Sequence, residues 1–304
     1  MTAAVGERAD PLVRAMPAVF VLIWSTGFIV ARYGMPHAPP MKFLAWRYAL
    51  SVAAFLAWAL LARAAWPRDR RQLMHLAVTG ILMHAGYLGG VWAAVKAGMG
   101  AGLAALLVGL QPVLTAIWIS TQGGRVGARQ WLGLGLGLAG LLLVVWQKLG
   151  LGEVGPLNLA FATIALFAIT AGTLYQKRFV APCDVRTANL VQLAAAFAVT
   201  LPLALLEREG MRWSLADGSL NPQLFGALAW SVLGLTLGGS SLLYLLIQRG
   251  AATSVTSLMY LVPPTTALMA WVLFGEPITM LIVAGMALTA VGVSLVVRPS
   301  RARP

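Results

Sequence analysis

Apolar stretches of about twenty residues alternate with short polar connections along nearly the whole chain. Ten can be read, at about 17–32, 42–62, 73–95, 101–120, 130–147, 157–176, 187–206, 222–248, 253–274 and 278–297. As helices rising ~1.5 Å per residue, they have roughly the length needed to cross a bilayer core of ~30 Å. The pattern predicts an all-α integral membrane protein. Its longest connection, Glu207 to Asn221, leaves no room for a folded soluble domain, so function has to sit among the helices. The first stretch follows a polar lead with Arg8 and Arg14 and runs on into further spans, which predicts a retained helix and not a cleaved signal.

Composition agrees: 60% of the residues are hydrophobic, 10% are charged, and the mean hydropathy is +0.82. A single cysteine, Cys183, excludes an internal disulfide and a cysteine metal cluster. The net charge of +13 matters less than its distribution. With ten spans, the side that holds both termini carries fifteen Lys and Arg residues, the opposite side carries six, and Arg47 lies within the second span. The positive-inside bias predicts cytoplasmic termini in an inner membrane. The expected partners are the lipid bilayer and a small-molecule substrate, with no nucleic acid, no cofactor and no metal, in a monomer or weak oligomer.

Shifted by 152 residues, the chain partly matches itself. Lys96–Trp118 meets Gln248–Ala270, pairing Gly98 with Gly250, Leu106 with Leu258 and Pro112 with Pro264; farther on, Gly133 meets Gly285 and Gly140 meets Gly292. The repeat divides the chain into units 1–152 and 153–304, each with five spans. An odd number of spans inserts the second unit upside down relative to the first. Inverted repeats of this kind are a signature of secondary transporters.

"WSTGFIVAR" (Trp24–Arg32), "FLAWRYALS" (Phe43–Ser51), the proline-centred spans four and nine, and "LFGEP" (Leu273–Pro277) occur in that order. Through them the chain resembles the drug/metabolite transporter superfamily, in particular its EamA-type ten-helix permeases and, within these, the YddG-like exporters of aromatic and other amino acids. The resemblance covers about Met16 to Arg298. It implies two inverted five-helix repeats around a central cavity and export of small amphipathic metabolites, and it places spans one, three, eight and nine around that cavity. The first unit departs from the pattern: "QGGRV" (Gln122–Val126) stands where a Gly-Glu pair is usual.

Proline lacks a backbone donor, so Pro112, Pro263 and Pro264 break their helices at mid-membrane. Because the breaks recur in both units, they read as paired hinges; a static kink packed on a neighbour is the alternative. For substrate contact the candidates are Trp24, Tyr87, Trp92, Tyr244 and Tyr260 as aromatic lining, with Ser25, Gln111, Thr170, Ser240 and Ser241 as polar partners. His84 is the deepest titratable group, either in the cavity or bonded to a neighbouring helix. Arg47 is expected to be structural, a salt link or interface anchor, with receipt of a substrate carboxylate as the alternative. Gly133, Gly137, Gly285 and Gly292 are assigned to close helix packing. All nine carboxylates fall outside the spans or at their ends, which predicts transport without proton or sodium coupling through an acidic residue. A membrane enzyme is disfavoured: three histidines carry no HExxH spacing and no carboxylates pair within the membrane. A channel differs from a carrier in lacking saturation and counterflow.

Overall fold

The computed structural model describes residues 11–122, 127–242 and 261–297. Among them are ten helices and no β-sheet, only one isolated bridge between Ser214 and Leu220. They are α1 (Pro11–Gly34), α2 (Pro40–Leu61), α3 (Arg70–Lys96), α4 in two halves (Ala101–Val108 and Gln111–Thr121), α5 (Ala128–Gly150), α6 (Pro156–Phe179), α7 (Val185–Leu206), α8 (Pro222–Leu242), α9 (Val262–Phe274) and α10 (Met280–Val297). Seven are long and apolar enough to cross a membrane, and α1, α9 and α10 contribute shorter apolar segments. The protein is an all-α, multi-pass membrane protein.

Local chemistry sets the helix ends. Pro40, Pro156 and Pro222 each open a helix at a position whose N–H would have no intrahelical partner. Asp69, Asp184 and Asn221 cap α3, α7 and α8 by accepting from the backbone of Arg71, Arg186 and Leu224. Gly275 ends α9 at φ 66°, a left-handed conformation that a Cβ would disfavour. Large apolar side chains face outward, among them Leu206, Trp146 and Met280, as a surface solvated by lipid tails allows.

Helix neighbours follow an exchange rule. α2 packs on α7, α4 on α9 and α5 on α10, so each of these pairs maps onto itself when the two five-helix units swap. The contacts of α3 with α6 and α7 are matched by those of α8 with α1 and α2, and α4 on α6 is matched by α9 on α1. This is the contact pattern of a pseudo-two-fold axis, self-complementary like that of a symmetric dimer. Small residues make the α5–α10 contact possible. A Cβ on Gly292 would lie 2.3 Å from the Gly137 nitrogen and 2.5 Å from the Gly133 oxygen, and one on Gly140 would lie 2.4 Å from the Gly285 oxygen. Thr289 at this contact donates to the Gly285 carbonyl at 2.9 Å.

The break in α4 falls at Gly109 and Leu110, just before Pro112 and not on it. Leu110 N–H turns back to the Leu107 carbonyl at 3.1 Å, and the helix restarts at Gln111. Pro112 therefore lies in the first turn of a new helical half, as Pro263 and Pro264 lie in the first turn of α9. A missing N–H costs little there. The α4 break abuts the start of α9: a Cβ on Gly109 would stand 3.0 Å from Pro263 Cγ.

Candidate functional site

Two helices that face each other across the pseudo-axis are locally over-wide. Ile81–Gly86 in α3 and Trp230–Gly239 in α8 adopt π-helical turns, closed for example by Tyr87 N–H on the Leu82 carbonyl. Shifting by 152 carries 81–86 onto 233–238, so the two irregularities are repeat equivalents, and His84 corresponds to Thr236. A π turn inserts a residue and aims side chains off the regular stripe, which is why such turns recur at functional sites. Neighbouring α2 reaches both of them. Tyr48 donates its hydroxyl to the His84 carbonyl at 2.8 Å, and Arg47 donates Nε and Nη2 to Thr236 Oγ1 at 3.2 and 3.1 Å.

Between these turns lies a cavity of about 110 Å³. Trp24, Gly27 and Phe28 of α1 form one wall, and Met83, His84, Tyr87, Leu88, Val91 and Trp92 of α3 form another. Leu235, Thr236 and Ser240 of α8, Ile169 of α6 and Arg47 of α2 complete the lining. Six of these positions form three pairs under the repeat shift, namely Met83 with Leu235, His84 with Thr236 and Leu88 with Ser240. The chamber is thus apolar and aromatic, with one guanidinium, one imidazole and a few hydroxyls.

Of the residues assigned to substrate contact, the fold brings Trp24, His84, Tyr87, Trp92 and Ser240 to the wall. Ser25, Gln111 and Thr170 are not among the lining. Ser25 is fully buried against the start of α9, its hydroxyl 3.5 Å from the Val262 carbonyl. Gln111 donates to Thr173 Oγ1 at 2.8 Å, tying the second half of α4 to α6, and Thr170 donates back to the Leu166 carbonyl of its own helix. Tyr244 and Tyr260 lie outside the described residues.

Arg47, expected as a salt link or interface anchor, links α2 to α8 through Thr236. It is only 7% exposed, well inside α2, and lines the chamber. No ion pair among the described residues includes it. Sequence reasoning also missed Thr236 and both π turns, because in an almost wholly apolar helix an inserted residue disturbs no visible periodicity.

At the end of the bundle opposite both termini, here the far end, the chamber is roofed. Phe43 stacks on Trp92 at 4.3 Å between centroids, against Gly34, and Tyr33 meets Phe274 at 4.9 Å. Carboxylates from the second unit hold helix N-termini of the first. Glu207 accepts from Met41 and Lys42 N–H at 3.0 and 2.8 Å at the start of α2, and Glu276 accepts from Ala101 N–H at 2.9 Å at the start of α4. Lys96 bridges to Glu209 at 2.9 Å, and this neighbour holds the Glu209 carboxyl below the ordinary carboxylate range. That pairing is present at neutral pH and is lost as pH falls through the depressed value.

The profile of the EamA-like transporter family matches residues 16–146 and again 157–298. The inner membrane transporter YedA of Escherichia coli K12 is 25% identical over 272 residues, covering 88% of this chain and 85% of that one. A probable amino-acid metabolite efflux pump of Salmonella typhimurium is 26% identical over 292 residues, covering 93% and 94%. A protein of known crystal structure superposes with a TM-score of 0.61 at 17% identity, over 94% of this chain and 96% of that one, and so shares the fold. The protein is a transporter of the EamA-like family, not an enzyme.

Proposed function

We propose that the protein exports small amphipathic metabolites of the amino-acid kind, with apolar or aromatic side chains, across an inner membrane by alternating access. The observation that carries this reading is a chamber at the pseudo-axis, lined by repeat-equivalent π turns and roofed at the far end by ties between the two units. Under the inverted arrangement, the pattern of contacts that shuts one end has a counterpart at the other, and exchanging the two opens the same chamber to the opposite side. The likeness to an amino-acid metabolite efflux pump supports the export direction and the amino-acid class. The charge bias supports cytoplasmic termini, and with them a far end that faces outward.

The units 1–152 and 153–304 move against each other in this scheme, with the breaks of α4 and α9 as paired hinges. The α4 break joins two helix halves without a continuous backbone ladder, so a change in angle costs little there. No acidic residue lines the chamber among the described residues, which supports transport without a carboxylate-bound proton or sodium ion. Counterflow in proteoliposomes tests the reading. Saturable exchange of a labelled solute, stimulated by unlabelled solute on the opposite side, is expected; flux that neither saturates nor responds to solute on the opposite side would identify a channel.

A further inference from the structure

The chamber holds a buried cation, Arg47, with a side that no described residue fills. Of the Arg47 donors, Nε and one Nη2 hydrogen go to a single hydroxyl, Thr236 Oγ1, and no described residue accepts from Nη1. The Thr236 hydroxyl donates in turn to the Ser231 carbonyl at 2.7 Å, so its hydrogen is spent within α8 and its oxygen faces the guanidinium. A planar fork held this way at a cavity wall is preorganised for two parallel hydrogen bonds to a carboxylate. A guanidinium at this depth is costly without an anion. The sequence offers none: all nine acidic residues fall outside the predicted spans or at their ends, and none of the described ones lines the chamber.

The same count decides what the other end of the ligand can be. An ammonium brought into the chamber would be a second cation, met among the described residues by neutral acceptors such as the His84 ring, Tyr87 and Ser240. Its lost hydration would go uncompensated by any opposite charge. A monocarboxylate without an ammonium leaves the loaded chamber electrically balanced, and the apolar walls take its hydrocarbon body. A dicarboxylate would leave its second charge unpaired. The volume of about 110 Å³ is somewhat below the roughly 150 Å³ cavity that holds benzene, which sets the body at about five or six heavy atoms.

We infer that Arg47, oriented by Thr236, is the anion-binding residue of the central chamber, and that the site takes small apolar monocarboxylates in preference to the matching zwitterionic amino acids. The inference rests on the chamber being the transport site; it keeps the apolar body of the substrate class proposed above and replaces the zwitterionic end with a lone carboxylate.

The test uses the full chain, purified, and three solutes that share the leucine skeleton: 4-methylpentanoate, leucine and 3-methylbutylamine. Equilibrium dialysis is expected to show 4-methylpentanoate bound at least ten-fold more tightly than leucine, with the amine unbound. Arg47→Gln should lose at least ten-fold of that affinity. Thr236→Val, which leaves the charge in place, should lose about three-fold, and isobutylmalonate should compete poorly. Thermal unfolding of each variant checks that it is folded; if Arg47→Gln does not fold, Arg47→Lys, which keeps the charge without the fork, carries the comparison with the same expected direction. Leucine binding as tightly as 4-methylpentanoate, or anion affinity that survives both Arg47 variants, overturns the inference. Counterflow run alongside separates the two claims. Exchange of leucine without any carboxylate preference leaves the carrier reading standing and removes this one, whereas Arg47-dependent binding with no exchange of any solute removes the carrier reading and leaves an anion site.

Discussion

Single residues here act through the space they leave. Gly292 is needed because backbone atoms of α5 occupy the volume of its missing Cβ, the nearest at 2.3 Å. Gly292→Ala should therefore force α5 and α10 apart and destabilise the protein by about 1–3 kcal/mol, the usual cost of overpacking. Gly135→Ala is the control, since a Cβ there meets nothing within 4 Å. Thermal unfolding in detergent should separate the two, and equal midpoints would refute the packing role. The sequence made Gly133, Gly137, Gly285 and Gly292 visible because small residues at helical spacing stand out among leucines. It hid Arg47, whose distance from the start of its helix allows either a snorkelled or a buried side chain. Which of these occurs depends on the π turn of α8 that places Thr236 beside it, and long-range placement of that kind has no local signal. Gln111 is off the chamber lining for the related reason that its partner, Thr173, is supplied by a different helix.

At the scale of the helix, start and stop chemistry was legible and internal irregularity was not. Proline, aspartate and glycine mark the ends of α2, α6, α7, α8 and α9 close to where the hydropathy pattern ends. The break in α4 was foreseen from Pro112 but lies at Gly109 and Leu110, because a proline is accommodated most easily just inside a new helix start. Two predictions follow from the position of the breaks. Pro112→Ala, and Pro263→Ala combined with Pro264→Ala, should leave thermal stability within about 1 kcal/mol, since no donor is missing from a helix interior. The same variants should slow exchange at least ten-fold if the breaks are hinges; normal exchange rates in folded variants would make them static. The carboxylate at the start of α4 is separately testable. Glu276→Ala removes the acceptor for Ala101 N–H at a helix start without a side-chain cap of its own, and should cost about 1–2 kcal/mol, with Glu276→Gln costing less. Unchanged unfolding midpoints in both variants would show that the contact is incidental.

The molecule as a whole is two five-helix units related by a pseudo-two-fold axis, and the repeat that showed this in the sequence also pairs the residues lining the chamber. His84 and Thr236 are equivalent under the shift, yet one is an imidazole and the other a hydroxyl that orients a guanidinium. Symmetry fixes where the chamber lies, and the departures from symmetry give it its chemistry. On the proposed reading, a chamber that carries one negative charge per solute with no coupled cation would make export electrogenic. With 100 mV across the membrane, negative on the side of the termini, outward movement of a monoanion is favoured by about 2.3 kcal/mol. A potassium diffusion potential of that sign should therefore accelerate efflux of 4-methylpentanoate from proteoliposomes, and no effect of the potential would show compensating ion movement. The central claim is that one chamber opens to each side in turn. It is tested most directly by a single cysteine in place of Leu88, with Cys183→Ser to remove the native thiol, challenged with a membrane-impermeant thiol reagent from each side during solute exchange. The account predicts labelling from both sides, slowed by saturating solute; labelling from one side alone under every condition, or from neither, would contradict it.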